Sequence, residues 1–376
     1  MSDEKPEHVL VHIIKNFTPS WFSVIMGTGI LSILLQTFPF QFYGLPTIAL
    51  VLYIINIVLF CTFTLITAAR YLFFPYIFLL MMKNSTQSLF IGTYSMGLTT
   101  ICNFTIIVIT KKFDWGMNLA FALWIVTVIV TYFSCIVVPY YIIVHHNHEL
   151  ENMNGTWLLP FIPTVVTGAS GGLLSNNIDE GRALVILIIS YVTMGMGLFL
   201  ATSIITIYWC RLIVHKLPPK EVIISSFLPL GPLGQGAYGM IQLGSAGKRI
   251  FGDKYITGLG DTAYGLGFLA ALVLWGYGIW YLAVAVFSVI RTTVYDKIPF
   301  NMGWWSLTFP LGVYTAGTLA IGDVLHSMFF QVLGAIFTCC LVVLWLAVSA
   351  LTIQGAITGK IFYAPCLTPI KDAVPT

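Results

Sequence analysis

Apolar and polar positions along the chain fall into ten long apolar windows joined by short polar connections. The windows run over 17–35, 45–69, 88–110, 116–144, 157–176, 183–209, 221–246, 262–290, 303–322 and 325–355. Each is long enough to cross a bilayer as a helix, which takes about 20 largely apolar residues. The pattern therefore predicts an all-α membrane protein with ten transmembrane helices over residues 17–355. Residues 1–16 and 356–376 are left as terminal segments, with no room for a soluble domain.

Two kinds of window alternate. The odd-numbered ones carry TPSWFSVIMGTGILS from Thr18, FIGTYSMGLTTICN from Phe90, LPFIPTVVTGASGGL from Leu159, SFLPLGPLGQGAYGM from Ser226 and SLTFPLGVYTAGTLA from Ser306. All are rich in Gly, Ser and Thr, and four carry a helix-breaking proline in the first half: Pro19, Pro163, Pro229 and Pro310. The prolines recur at steps of roughly 70 residues, with a double step across the second copy. The even-numbered windows, such as VLYIINIVLFCTFTLITA and FTCCLVVLWLAVSAL, are bulky, β-branched and aromatic.

A break inside a spanning helix frees backbone groups that hydrocarbon cannot satisfy but a protein-lined or watered cavity can. Bulky apolar surface suits lipid. The alternation thus predicts five helical hairpins, with the broken helices as an inner ring around a central pore and the smooth ones outside. Glycine also serves close helix packing in membranes; its recurrence on alternate helices favours a lumen.

Composition sharpens this picture. The 376 residues are 58% hydrophobic and 8% charged, with mean hydropathy +0.92, against roughly 25% charged in soluble domains. Taking ten spans, the termini and the loops after even-numbered windows hold eleven Lys and Arg and the opposite side six. Both termini are therefore expected in the cytoplasm. The net charge of +3 is read as a topology signal, with no nucleic-acid partner. The N-terminal stretch lacks the basic start and cleavage site of a signal peptide, so the first helix is expected to stay. The seven cysteines read as small packing residues. Sequons at Asn16, Asn84, Asn103 and Asn154 fall on the cytoplasmic side or inside the membrane, and no glycosylation is expected.

Inside the windows the only formal charge is Glu221, at an edge; the other acidic residues and every Lys and Arg lie outside. A carboxylate-built cation pathway or proton relay is therefore disfavoured. A neutral lumen with exposed helix ends and donors suits a small oxyanion. Candidate lining or substrate-binding residues are Gly27, Thr28, Thr93, Tyr94, Thr99, Asn103, Thr167, Ser170, Gln235, Tyr238, Tyr314 and Thr315. Each hydroxyl can instead bond its own helix backbone. Phe309, Phe161 and Phe227 stand beside prolines, where a phenylalanine can plug and dewet a pore or merely fill a kink. His145, His146 and His148 have metal-ligand chemistry but occupy a short loop without a further Cys or His, so no metal is expected. No nucleotide-binding fingerprint or cofactor motif is present. The segment Arg70 to Lys83 is too short to span and reads as interfacial.

Four stretches carry a family resemblance: FTPSWFSVIMGTGILS, IGTYSMGLTTICNF at Ile91 to Phe104, LGPLGQGAYGM at Leu230 to Met240, and NMGWWSLTFPLGVYTAG at Asn301 to Gly317. Over essentially its whole length the chain resembles the tellurite-resistance/dicarboxylate transporter superfamily, which includes the plant slow anion channels and the yeast malate permeases. Within it, the chain is most similar to the fungal sulfite efflux pumps. The resemblance implies five hairpins arranged quasi-fivefold around a pore, commonly as a homotrimer. It places the pore-blocking phenylalanine of the ninth helix on Phe309. It also implies export of sulfite or bisulfite across the plasma membrane by a multi-pass transporter, not an enzyme. The stretch after the tenth window is shorter than the hydrophilic tail of some fungal relatives, so regulation through such a tail is not expected. Two other readings are C4-dicarboxylate transport, which would want a basic residue in the pore, and a membrane metalloenzyme built on the three histidines.

Overall fold

The structure, a computed structural model, describes residues 9–367. Among these residues every regular element is helical: α1 (Val9–Asn16), α2 (Phe22–Gln36), α3 (Leu45–Phe73), α4 (Tyr76–Lys83), α5 (Gly92–Phe104), α6 (Gly116–Tyr132), α7 (Val138–His145), α8 (Ile162–Asn177), α9 (Glu180–His215), α10 (Leu230–Phe251), α11 (Leu259–Tyr295), α12 (Trp305–Leu325) and α13 (Met328–Ile357). Two π-helical turns, Thr105–Ile109 and Phe133–Val137, extend α5 and join α6 to α7.

Packing separates these helices into two sets. α2 lies on α5, α5 on α8, α8 on α10, α10 on α12, and α12 back on α2, so five helices close a ring. Each of α3, α6, α9, α11 and α13 packs on the ring helix preceding it in sequence and touches the next one as well. The window Pro19–Gln36 is 89% buried and Ser88–Ile109 is 83% buried, whereas the outer helices are 22% to 39% buried. Every residue from Ile162 to Ser175 is buried in α8. The sequence alternation thus corresponds to an alternation in burial. Apolar side chains such as Val273, Phe287 and Val343 remain exposed on the outer set, as a lipid-facing surface requires.

Seven of the ten windows coincide with helices long and apolar enough to cross a membrane: Pro19–Gln36, Leu45–Phe73, Ser88–Ile109, Gly116–His145, Glu180–His215, Leu259–Tyr295 and Met328–Ile357. The windows at 157–176, 221–246 and 303–322 fall on α8, α10 and α12, which are shorter or less apolar because Gly, Ser and Thr fill them.

Each ring helix is preceded by a 3₁₀ turn: Pro19–Trp21, Ser88–Ile91, Gly155–Leu158, Ile223–Phe227 and Met302–Trp304. The prolines mark these beginnings. Pro19 opens its turn, Pro229 caps α10, and Pro163 sits in the first turn of α8, where a missing N–H costs little. Only Pro310 interrupts an α-helix. Two sequence boundaries also shift. Glu221, drawn inside a window, stands in the turn before Ile223, while Asp323, drawn between windows, lies in the last turn of α12. Hydropathy loses a helix at its first charge, whereas the helix ends at its cap, here His326 in the left-handed region with φ 51°. Arg70 likewise continues α3 beyond its window, and Tyr76–Lys83 forms the expected short helix.

Buried arginines tie the two sets together at one end. Arg70 Nη1 donates to the Phe17 carbonyl at 2.8 Å, and Arg211 donates to the carbonyls of Glu151 and Lys216. The chain ends meet there too: Ala364 N donates to Asn16 Oδ1 at 2.9 Å, and Phe362 stacks on Trp21. The expected terminal segments are described only in part, since residues 1–8 and 368–376 lie outside the described residues.

Glycine in the ring works differently from the lumen expectation. A Cβ on Gly27 would meet Thr308 and Trp305 of α12, one on Gly29 would meet Thr100 and Asn56, and one on Gly312 would meet Ile30. Neighbouring helices fill the space that a side chain would take, which allows close backbone approach. Gly234 faces the Tyr314 backbone, which cannot yield as a side-chain tip could. Gly234→Ala is expected to destabilise the protein by about 1–3 kcal/mol through overpacking, read as a lowered Tm in detergent. Gly276→Ala on the outer face of α11, with nothing near its Cβ, should change stability by less than about 0.5 kcal/mol.

Candidate functional site

Two cavities occupy opposite ends of the ring. The first, about 820 Å³, is lined by the opening segments of all five ring helices, through residues including Thr18, Gln87, Asn154, Ser225 and Asn301, and by the chain from Leu351 to Pro365. The second, about 250 Å³, is lined by the far portions of the same helices.

The first mouth is shaped by asparagines whose side chains accept from nearby backbone amides. Asn84 Oδ1 accepts from Gln87 N at 2.9 Å, Asn154 Oδ1 from Thr156 N at 3.0 Å, and Asn301 Oδ1 from Gly303 N at 2.8 Å. Asn154 and Asn301 cap the 3₁₀ turns that follow them, whereas Asn84 holds the loop leading into Ser88–Ile91 through the amides of Thr86 and Gln87. Charge at this mouth comes from Glu221 and Lys360.

Between the cavities the ring is filled by apolar side chains. α12 lines the first cavity through Ser306 and the second through Ala316, ten residues on, which is about 15 Å of helix. One contiguous core cluster includes Met26, Met96, Val166, Leu233, Phe309 and Val313, so every ring helix contributes to it. Phe309 is 2% exposed. Beside it, Pro310 has no N–H to give, which leaves the Ser306 carbonyl without its intrahelical donor at the edge of the first cavity.

The second cavity brings together Asn103, Gln235 and Tyr238 from the sequence candidates, with Thr37, Gln242 and Asp323. Ser170 joins indirectly, its Oγ 2.5 Å from Asn103 Oδ1. The other candidates line neither cavity and engage neighbouring groups instead, Thr93 doing so on two residues of the first cavity's lining. Thr28 Oγ1 accepts from Trp345 Nε1 at 3.0 Å, Thr93 donates to the Phe90 and Pro19 carbonyls, and Thr167 pairs with Thr131 at 2.8 Å. Thr99 and Thr315 bond the carbonyls four residues back, at Ser95 and Leu311. The Tyr94 ring meets Phe22 and Phe60, and Tyr314 Oη donates to the Trp275 carbonyl at 2.8 Å.

The asparagine caps and Asp323 escaped the sequence reading. Asn84 and Asn154 were visible as sequons, but Asn301 lacks that pattern, so their shared role as acceptors needed backbone geometry. The histidine loop borders a separate surface pocket lined by Asn147, His148, Asn154 and Thr156. His146 Nε2 is 2.8 Å from the Met82 carbonyl, and the His148 ring meets Trp157. Burial, and then neighbouring His146, holds His148 below its ordinary pKa. Among the described residues no three His, Cys, Asp or Glu are placed to hold a metal ion.

A sealed ring of small-residue helices with a cavity at each end defines a membrane channel or carrier. The chain matches the SLAC1 family of voltage-dependent anion channels over residues 16–353, and it belongs to that family. It is 39% identical over 351 residues to the sulfite efflux pump SSU1 of Arthroderma benhamiae and 40% identical to that of Arthroderma otae, covering 93% of each chain in both cases. It is 25% identical to the malic acid transport protein of Schizosaccharomyces pombe over 96% of this chain and 83% of that one.

The hydrogen bond from Tyr314 points away from both cavities, so Tyr314→Phe is expected to leave anion flux in proteoliposomes unchanged. It should lower stability by about 1 kcal/mol, read from thermal unfolding of the same preparation.

Proposed function

We propose that the chain exports sulfite or bisulfite across the plasma membrane as a ten-span, five-hairpin protein, quasi-fivefold about the pore. In this reading the anion passes along the ring axis, and Phe309 with its apolar neighbours closes the path. The observation that carries it is the sealed ring itself: two cavities, each lined by the ring helices, separated by a buried stretch that includes Phe309. The substrate is suggested by the relatives that are 39% and 40% identical over 93% of the chain, whose names describe sulfite efflux pumps.

Ten spans are supported by the chain ends as well. The contact of Ala364 with Asn16 supports both segments lying on one side, as an even number of crossings would have it. The Lys and Arg distribution favours the cytoplasm for that side, so the wider cavity would collect the anion there. A homotrimer follows from the family resemblance. The names of the relatives describe transport and not catalysis. A dicarboxylate fits the second cavity less well, since no Lys or Arg lines it to pair a second carboxylate. Counterflow of labelled sulfite against malate separates the two substrates.

Phe309→Ala should raise sulfite flux in proteoliposomes about tenfold or more, the factor given by about 1.4 kcal/mol off the barrier. Burying one phenylalanine involves at least that much free energy, about 1.5–3 kcal/mol. Unchanged flux in a folded variant would remove Phe309 from the gate while leaving the substrate reading in place.

A further inference from the structure

The second cavity sets two deeply buried amides and a carboxylate around one small space. Gln235 is 3% exposed, and its side chain makes no hydrogen bond among the described residues. Asn103 is 8% exposed; its Oδ1 is taken by Ser170, which leaves Nδ2 as the free end. Both side chains face the cavity, where water or an accepting ligand can take up the amide hydrogens that no protein group engages. Asp323, exposed in the last turn of α12, lines the rim of the same space, and an ionised carboxylate can only accept. A cation would favour the carboxylate but meet the Asn103 NH₂. A fully deprotonated anion would favour the amides but meet the carboxylate. A singly protonated oxyanion satisfies both, since its oxygens accept and its hydroxyl donates.

We propose that this cavity binds a monoprotonated oxyanion, with Asn103 and Gln235 donating to its oxygens and Asp323 accepting its hydroxyl proton. Resting on the efflux reading, this makes bisulfite the form selected and excludes the sulfite dianion and sulfate. The remaining titratable groups around Asp323 are few. Tyr238 of α10 lines the same cavity, and His326 follows at the end of α12. At the end of α10, Lys248 is paired with Asp261 of α11, and Arg249 is bound to the carbonyls of Ser175 and Ile178. Tyr264 stands near the start of α11, whereas α2 and α13 contain no acidic or basic residue, and Cys339 and Cys340 of α13 are exposed. Asp323 is thus the cavity's one carboxylate.

The test is labelled sulfite uptake by the full chain in proteoliposomes across acid to mildly alkaline pH, corrected for protein-free liposomes, with sulfate as competitor. Wild-type uptake should follow the singly protonated fraction and resist excess sulfate. In Asp323→Asn the new amide can donate to a dianion, so the pH profile should flatten and sulfate should inhibit at about tenfold lower concentration, one charge-assisted hydrogen bond's worth. Asp323→Glu should keep the wild-type profile. If Asp323→Asn carries sulfite with the wild-type profile and sulfate resistance, the proposal falls and the efflux reading stands. Should the variant not fold, wild-type protein inhibited by sulfate as strongly as by unlabelled sulfite overturns the proposal by itself. Wild-type protein that moves no sulfite at any pH overturns the efflux reading as well.

Discussion

A peptide group in hydrocarbon finds no hydrogen-bond partner but its own chain, and the two sets of helices follow from that constraint. Every turn of irregular geometry at the start of a ring helix, from Pro19–Trp21 to Met302–Trp304, lies where other protein segments or a cavity surround it. The outer helices α3, α9, α11 and α13 run unbroken for 29 to 37 residues. The remaining outer path, α6 to α7, accommodates Pro139 after the π turn Phe133–Val137, which absorbs the register change before α7. At Ser306 the carbonyl freed by Pro310 lies one turn from Phe309, which is 2% exposed.

The same constraint explains what could be read in advance. Alternation of small and bulky windows reports which helices are surrounded by protein, because lipid rewards bulk and helix contact rewards smallness. That signal is strong across five copies, and the division into a buried inner set and an exposed outer set follows from it. It says nothing about which neighbour a small residue faces. Gly27 and Gly312 were indistinguishable from lumen glycines until the α2–α12 contact was known. Helix ends were legible only as far as the first charge, which is why Arg70 and Asp323 fell outside their windows.

The hydroxyl residues follow a similar logic. A threonine in a helix can satisfy its donor on the carbonyl one turn back, and Thr99 and Thr315 do so. Amides cannot close that short loop as readily with both ends, and Asn103 and Gln235 remain oriented toward a cavity, together with Tyr238. Within a pattern of polar residues on buried helices, residue type carried more information than position. The first mouth was harder to foresee: the caps at Asn154 and Asn301, and the loop bonds of Asn84, show only through backbone conformation.

The seal and the second cavity also constrain each other. The cost of bringing an ion into a low-dielectric passage grows with the square of its charge, so a dianion faces about four times the self-energy of a monoanion. Lys and Arg line no part of the apolar cluster around Phe309, and no cation there offsets that difference. A passage of this kind already favours the singly charged form before any side chain recognises it. A carboxylate at the far end adds repulsion for the same dianion that the seal penalises, and it holds a protonated monoanion only by the strength of one hydrogen bond. On the proposed reading selection and release need not compete: the amides would orient the anion, and the nearby negative charge would keep the site from holding it tightly.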